Sequence, residues 1–241
     1  MRPVALLQHD QNQRPGLLLD YLNELNIPSV TFMPDEGDEP PDNAKDFSGI
    51  VLLGSQHSVN EPLCWITREV ALIQSAMSAD IPVLGHCFGG QLMAKALGAP
   101  VQRNAWPNIG WSHLRATPHA DNLFGSSTVP AFNWHYETFG IPQGAQRLLF
   151  GQHCLNKGFR YGKHLAFQCH FEVTESIIKD WCDQSKAELQ HVKGPAVQSI
   201  EEIMARMPYE LPKVRRVARQ VYQQWASGLP TTPKIGYACT W

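Results

Sequence analysis

Val83-Leu84-Gly85-His86-Cys87-Phe88-Gly89-Gly90-Gln91-Leu92-Met93-Ala94-Lys95-Ala96-Leu97-Gly98 is the stretch that decides the fold. The apolar residues 81–84 read as a short buried strand. Leu92, Met93, Ala96 and Leu97 then recur at helical spacing. Between them, Gly85-His86-Cys87-Phe88-Gly89 has the Gly-x-nucleophile-x-Gly pattern of a sharp strand-to-helix turn, with Cys in place of Ser. Glycines flank the Cys because the backbone is strained there and side chains would clash. The turn pushes the thiol out above the sheet, beside a helix N-terminus whose partial positive charge favours thiolate over thiol.

Upstream of this elbow the chain alternates strand and helix. Val4-Ala5-Leu6-Leu7 reads as a buried strand, Pro15 opens a helix with Leu18, Tyr21, Leu22 and Leu25 on one face, and Ser29-Val30-Thr31-Phe32 is a second strand. Residues 34–46 form a polar loop, read as solvated surface. Gly49-Ile50-Val51-Leu52-Leu53 is a third strand that runs into Gly54-Ser55-Gln56-His57. Loops after strand C-termini build the ligand site of open α/β sheets, so this loop is a candidate wall. A helix follows with Ile66, Val70, Ile73 and Met77 at helical spacing.

After Gly98 the pattern becomes β-rich. Val101, residues 109–111 and 112–117 read as short extended pieces, and residues 129–134, 147–151 and 164–170 as further strands. From Thr174 the chain turns helical. Ser199-x-x-Glu202 is a capping box ahead of Ile200, Ile203, Met204 and Met207, and a last helix carries Val214, Val217, Ala218, Val221, Tyr222 and Trp225. The expected class is α/β: a mostly parallel central sheet with flanking helices, a nucleophile elbow and an antiparallel strand extension. Residues 1–190 are expected to form the main domain and residues 191–241 a C-terminal helical extension packed on it.

Bulk composition narrows the function. The 20 Lys and Arg against 22 Asp and Glu give a net charge of −2, with no global signature of nucleic-acid or membrane binding. No apolar run approaches the ~18–20 residues of a membrane span. Six cysteines at 64, 87, 154, 169, 182 and 239 show no C-x-x-C pairing, which points to reduced thiols in a cytoplasm. No cluster has metal-ligand spacing, so no metal or cofactor is expected.

A thiol nucleophile needs a base, and the base needs an orienting group. His170 and Glu172, two apart at the end of the apolar residues 165–168, are the candidates, read as sharing one side of a strand. The backbone N–H groups of Phe88, first on the elbow helix, and of Gly54 are the candidate oxyanion donors. Among other residues, His86 and His57 are read as structural and rim positions, and Cys169 as facing the core. Cys64, Cys154, Cys182 and Cys239 are read as inert, and Arg215, Arg216 and Arg219 as a solvated helix face.

Residues 82–99 closely resemble the nucleophile segment of class I glutamine amidotransferases, and Gln168-Cys169-His170-Phe171-Glu172 resembles their His-x-Glu segment. The best fit is to stand-alone members similar to the glutaminase part of GMP synthase. Ile109-Gly110-Trp111, Trp134-His135-Tyr136-Glu137-Thr138-Phe139 and Phe159-Arg160-Tyr161-Gly162 match in the same order. The resemblance implies a flavodoxin-like architecture, a Cys87-His170-Glu172 triad and an oxyanion hole at Gly54 and Phe88. It also implies glutamine contacts from Gln91, Trp134, His135, Tyr136 and Glu137. The implied reaction is hydrolysis of glutamine through a γ-glutamyl thioester, with ammonia released or handed to a separate synthetase partner.

The chain departs from the common pattern at three places. Ser55-Gln56 replaces Gly-Pro after Gly54, Tyr136 replaces a Gly, and Asn108 replaces a Glu. The first two alter the expected pocket and motivate a second reading, a γ-glutamyl peptide or conjugate hydrolase with the same triad. A third reading is non-enzymatic, with Cys87 as a redox sensor on this scaffold.

Overall fold

The computed structural model describes residues 1–120 and 123–230. Cys239 and the end of the expected C-terminal extension lie outside them. Among the described residues, nine strands form one sheet. Its parallel half is β1 (Val4–Leu7), β2 (Ser29–Phe32), β3 (Gly49–Leu52), β4 (Val83–His86) and β9 (His164–Phe167), in the order β2-β1-β3-β4-β9. Beyond β9 the sheet continues antiparallel through β8 (Gly158–Tyr161), β7 (Gln146–Phe150), β5 (Val101–Ala116) and β6 (Thr128–Phe139). This is the expected mixed α/β architecture.

The parallel strands are apolar on both faces because helices cover both. On one side Val4, Leu6, Val51 and Leu84 pack towards α1 (Gly16–Glu24), α4 (Glu175–Gln184) and α6 (Ile200–Ala226). On the other, Ala5, Leu7, Ile50, Leu52 and Val83 meet α2 (Cys64–Ser78) and α3 (Phe88–Ala96). A short helix, α5 (Lys186–Leu189), follows α4. No described helix is long and apolar enough to cross a membrane.

Four local readings change. The elbow strand starts at Val83, not Ile81, because the Ile81 N–H closes the end of α2 on the Ala76 carbonyl and Pro82 has no N–H for a ladder. The short pieces after Gly98 are one 16-residue strand, β5, whose register shifts between Arg103 and Asn108, around Pro107. Pairing with β6 carries it through the Pro and Gly that look like breaks. β9 ends at Phe167, so His170 and Glu172 are not on a strand. The chain bends at residues 168–169 and bridges to β6, with the His170 N–H on the Phe132 carbonyl at 2.8 Å.

The two C-terminal helical stretches are a single 27-residue helix, α6, which runs through Pro208 and Pro212. Proline inside a helix removes a hydrogen bond. Here the buried stripe of Ile203, Met207, Leu211, Val214, Val221 and Trp225 spans both prolines and outweighs that loss. The capping box at its start is present: the Ser199 hydroxyl accepts from the Glu202 N–H, and the Glu202 carboxylate accepts from the Ser199 N–H. Ser199→Ala is therefore expected to destabilise the protein by about 1 kcal/mol. A urea midpoint lowered at unchanged m-value would show it.

Candidate active site

Cys87 stands where β4 turns into α3. Its backbone is left-handed, with φ +51° and ψ −109°. Such a conformation costs a non-glycine residue about 1–3 kcal/mol and persists only when its surroundings enforce it. Here backbones crowd the turn. A Cβ on Gly85 would lie 2.5 Å from the Gly89 carbonyl carbon, and one on Gly89 would lie 2.1 Å from the Leu52 carbonyl oxygen. The Cys87 N–H donates to the Phe167 carbonyl at 2.8 Å, tying the elbow to β9. Cys87 is 6% exposed and lines a cavity of about 490 Å³.

The bend after β9 brings His170 and Glu172 beside it. His170 Nδ1–H donates to Glu172 Oε1 at 2.5 Å, and the Trp181 ring meets the imidazole edge-on at 4.8 Å. His170 Nε2 carries no hydrogen bond to a fixed acceptor, and Cys87 is the thiol that interacts with this ring. Burial disfavours charge on His170. The Glu172 carboxylate and a Cys87 thiolate outweigh it and push the His170 pKa up to about 10. Burial likewise opposes charge on Glu172, but His170, and then His86, hold it below the ordinary glutamate value. The arrangement supplies a thiol, an imidazole able to take and return a proton, and a carboxylate that orients that imidazole.

A Cβ on Gly54 would sit 2.1 Å from Gln13 Oε1 and 3.3 Å from His170 Cε1. Phe88 is the first residue of α3, ahead of any intrahelical acceptor. Among the described residues, no hydrogen bond takes the N–H of either one. A pair the sequence reading missed supports both. His9 Nδ1–H donates to the Gly54 carbonyl at 3.1 Å, and Nε2 bonds Glu69 at 3.0 Å. The His9 ring also meets Phe88 edge-on at 4.8 Å. Both His9 and Glu69 are fully buried. Burial disfavours a charged His9, but Glu69 more than compensates and raises its pKa. The available signal was Glu69 itself, an acid three residues from Ile66 on the apolar face of α2.

Gln91 donates to Gln168 Oε1 at 3.2 Å, and Gln168 Nε2 lies 3.8 Å from Cys87 Sγ. Trp134, His135, Tyr136 and Glu137 all line the same cavity. Tyr136 leans outward, its hydroxyl bonding Glu188 of α5 and its ring lying beneath Arg103. It thus builds the outer wall of the pocket. His135 is not free to act as a base. Its Nδ1–H donates to the Glu137 carbonyl at 2.9 Å, and its Nε2 accepts from Lys157 Nζ at 2.7 Å. Burial, and then the Lys157 charge, lower its pKa well below the usual range. Lys157 is 1% exposed and also donates to Asn108 and Asn133. Nothing in the local sequence around Lys157 marks this buried role.

His57 sits at the rim, bonded to Glu61 and paired with Asp35. Cys169 faces the core as expected, and burial raises its pKa. His86 is buried behind the site, and its Nδ1 lies 3.5 Å from Glu172 Oε2.

His170 and Glu172 give stability opposite pH dependences. His170, raised from 6.5 to about 10, contributes fully below pH 6.5 and loses its contribution as pH rises through about 10. Glu172, held below 4.5, contributes above pH 4.5 and loses its contribution in stronger acid. The stability difference between wild type and His170→Gln is expected to be largest between pH 4.5 and 6.5 and to shrink towards pH 10. Urea midpoints across this range would measure it, and a gap that widened in alkali would contradict it.

Known proteins resemble this chain in sequence and fold. The family model of glutamine amidotransferase class-I matches residues 12–180. The glutamine amidotransferase-like protein YfeJ of Salmonella typhimurium is 28% identical over 213 residues, covering 84% of this chain and 89% of its own. A probable GMP synthase of Leptospira interrogans is 30% identical over 152 residues, 58% of this chain but 23% of the synthase. Among solved structures, a glutamine amidotransferase from Methylobacillus flagellatus superposes with a TM-score of 0.93 at 34% identity, covering 96% of this chain and 97% of its own. One from Thermotoga maritima gives 0.84 at 26% identity, covering 93% and 98%. With its elbow, mixed sheet and matching segment, the chain belongs to the class I glutamine amidotransferase family.

Proposed function

We propose that this protein hydrolyses the side-chain amide of glutamine, with Cys87 as nucleophile, His170 as acid–base and Glu172 as its orienting carboxylate. The observation that carries this reading is the 2.5 Å bond between His170 and Glu172 beside an elbow thiol in an open cavity. The Cys87 thiolate attacks the amide carbon. The carbonyl oxygen becomes an oxyanion held by the free N–H groups of Gly54 and Phe88, a contribution of about 3–4 kcal/mol per donor in comparable sites. Protonated His170 gives its proton to the leaving nitrogen, ammonia departs and a γ-glutamyl thioester remains. His170 then takes a proton from water, the hydroxide attacks the thioester carbon, and glutamate leaves as the thiolate re-forms.

Gln91 and the 134–137 segment hold the α-amino and α-carboxylate groups in this reading, with Lys157 and His135 stiffening the segment from beneath. The ammonia is either released or passed to a synthetase on a separate chain. The GMP synthase relative, of which this chain spans 23%, makes the second arrangement reasonable.

The size and lining of the cavity favour one further reading. It extends beyond residues 134–137 to Asn12, Gln184, Ser185 and Glu188. That leaves room for a substrate larger than free glutamine, such as a γ-glutamyl peptide or conjugate.

Glutamate and ammonia release from free glutamine is expected to require Cys87, with Cys87→Ala lowering the rate on the order of 10⁴-fold or more. Absence of Cys87-dependent turnover, with and without cell extract, would remove the glutaminase reading. A panel of γ-glutamyl amides separates the two substrates: higher kcat/KM for the conjugates than for glutamine selects the second.

A further inference from the structure

On the side of Glu172 facing β4, two buried polar atoms meet without partners. Glu172 spends Oε1 on His170, and its Oε2 accepts no hydrogen bond. His86 Nδ1 also has none, and the two atoms lie 3.5 Å apart. Neither side chain reaches solvent, at 0% and 2% exposure. Buried carboxylate oxygens are normally satisfied, and here the imidazole is the donor in position to do so. The other ring nitrogen, Nε2, lies 3.5 Å from the hydroxyl of Tyr222 on α6. Tyr222 is itself 1% exposed. The imidazole is clamped between the Phe167 ring, stacked at 5.9 Å, and the edges of Phe171 and Tyr222.

We propose that His86 is a positioning residue for the Cys87–His170–Glu172 site. Its Nδ1–H donates to Glu172 Oε2 and holds the carboxylate in the plane that aligns Oε1 with His170, while the Tyr222 hydroxyl donates to Nε2 and selects that tautomer. The relay then runs from α6 to the thiol: Tyr222, His86, Glu172, His170, Cys87. It rests on the triad reading above.

The groups facing His86 are consistent with one proton on the ring. Burial lowers its pKa against the pull of Glu172, and the charge on His170 lowers it further. The Cys169 backbone, like Glu172, opposes that lowering. A neutral imidazole has one N–H, so the tautomer decides whether Glu172 is served. Tyr222 stays protonated, since burial raises its pKa. The hydroxyl therefore remains a donor.

The experiment has one arm that needs no substrate and one that does. In the wild-type protein, ¹⁵N NMR of the histidine rings is expected to place the His86 proton on Nδ1. A proton on Nε2 overturns the proposal whatever the activity. For function, His86→Phe keeps the packing and removes the donor, and His86→Asn keeps an N–H near the Nδ1 position. His86→Phe is expected to lower kcat for glutamine hydrolysis by about 10- to 100-fold with little change in KM, in line with the loss of a group that orients a reacting residue. It also moves the acid limb of the profile to higher pH, because Glu172 without its donor takes a proton more readily. His86→Asn is expected to recover most of kcat and return the acid limb. Tyr222→Phe is expected to give a smaller loss of kcat.

The pH dependence of Cys87 alkylation by iodoacetamide reports the same ionisation without turnover. It separates failure of this proposal from failure of the glutaminase reading. A His86→Phe protein that folds and keeps the wild-type alkylation profile overturns it, as does an Asn variant that retains the fold but is as impaired as Phe. Should His86→Phe fail to fold, the wild-type NMR arm and the Asn and Tyr222→Phe variants still decide.

Discussion

The Cys87 N–H donates to the Phe167 carbonyl at 2.8 Å, and the rest of the site depends on that contact. It joins the nucleophile's turn to the strand that delivers the imidazole and carboxylate. Phe167 is the last residue of β9, and beyond it the chain crosses to bridge β6. Without the crossing, His170 and Glu172 would follow the sheet and its pleat. With it, they fold back over the thiol. The approach is so close that neighbouring glycines have no room for a methyl group: a Cβ on Gly90 would stand 2.6 Å from the same Phe167 oxygen. Strain at Cys87 is thus held in place by backbone contacts on two strands.

Around this junction the protein buries several titratable side chains. His9 with Glu69, His86 with Glu172 and His170, and Lys157 with His135 are each nearly inaccessible to water. Charges removed from water destabilise unless neighbours compensate them. Compensation here comes in separate local sets. The His9–Glu69 pair steadies the Gly54 loop and Phe88. The Lys157 ammonium, which bonds three neutral acceptors, steadies residues 134–137. The Gly54 loop and residues 134–137 therefore each have their own polar support. Asn108 is a partner of Lys157, and Tyr136 joins Glu188 on the outer wall.

The long C-terminal helix connects with the same junction. α6 packs on α1, α4, β5 and β6. Trp225 lies against Gly49 at the start of β3, where a Cβ would come within 2.9 Å of the indole. Gln198, just before the helix, accepts from the Trp111 N–H and donates to its carbonyl, extending the sheet edge with a side chain. Through Tyr222 the helix reaches His86. A segment that reads as an appended amphipathic helix is part of the scaffold behind the nucleophile.

What the sequence by itself determined was whatever depends on local pattern. Glycines spaced around Cys87 required an elbow, because only glycine tolerates backbone at that distance. Alternating apolar strands and helices required a parallel sheet covered on both faces. Ser199 and Glu202, three apart, required a helix start. The elbow thiol and the spacing of His170 and Glu172 were legible for the same reason. Tertiary structure decided what depends on partners distant along the chain. It let the strand partner carry β5 through Pro107 and Gly110, and let an apolar stripe carry α6 through two prolines. It also set which buried polar atoms meet. His9 finds Glu69 sixty residues away, Lys157 finds His135 twenty-two residues away, and Tyr222 finds His86 across 136. No local periodicity encodes such meetings, because satisfying a buried polar group is a property of the packed interior and not of the segment that carries it.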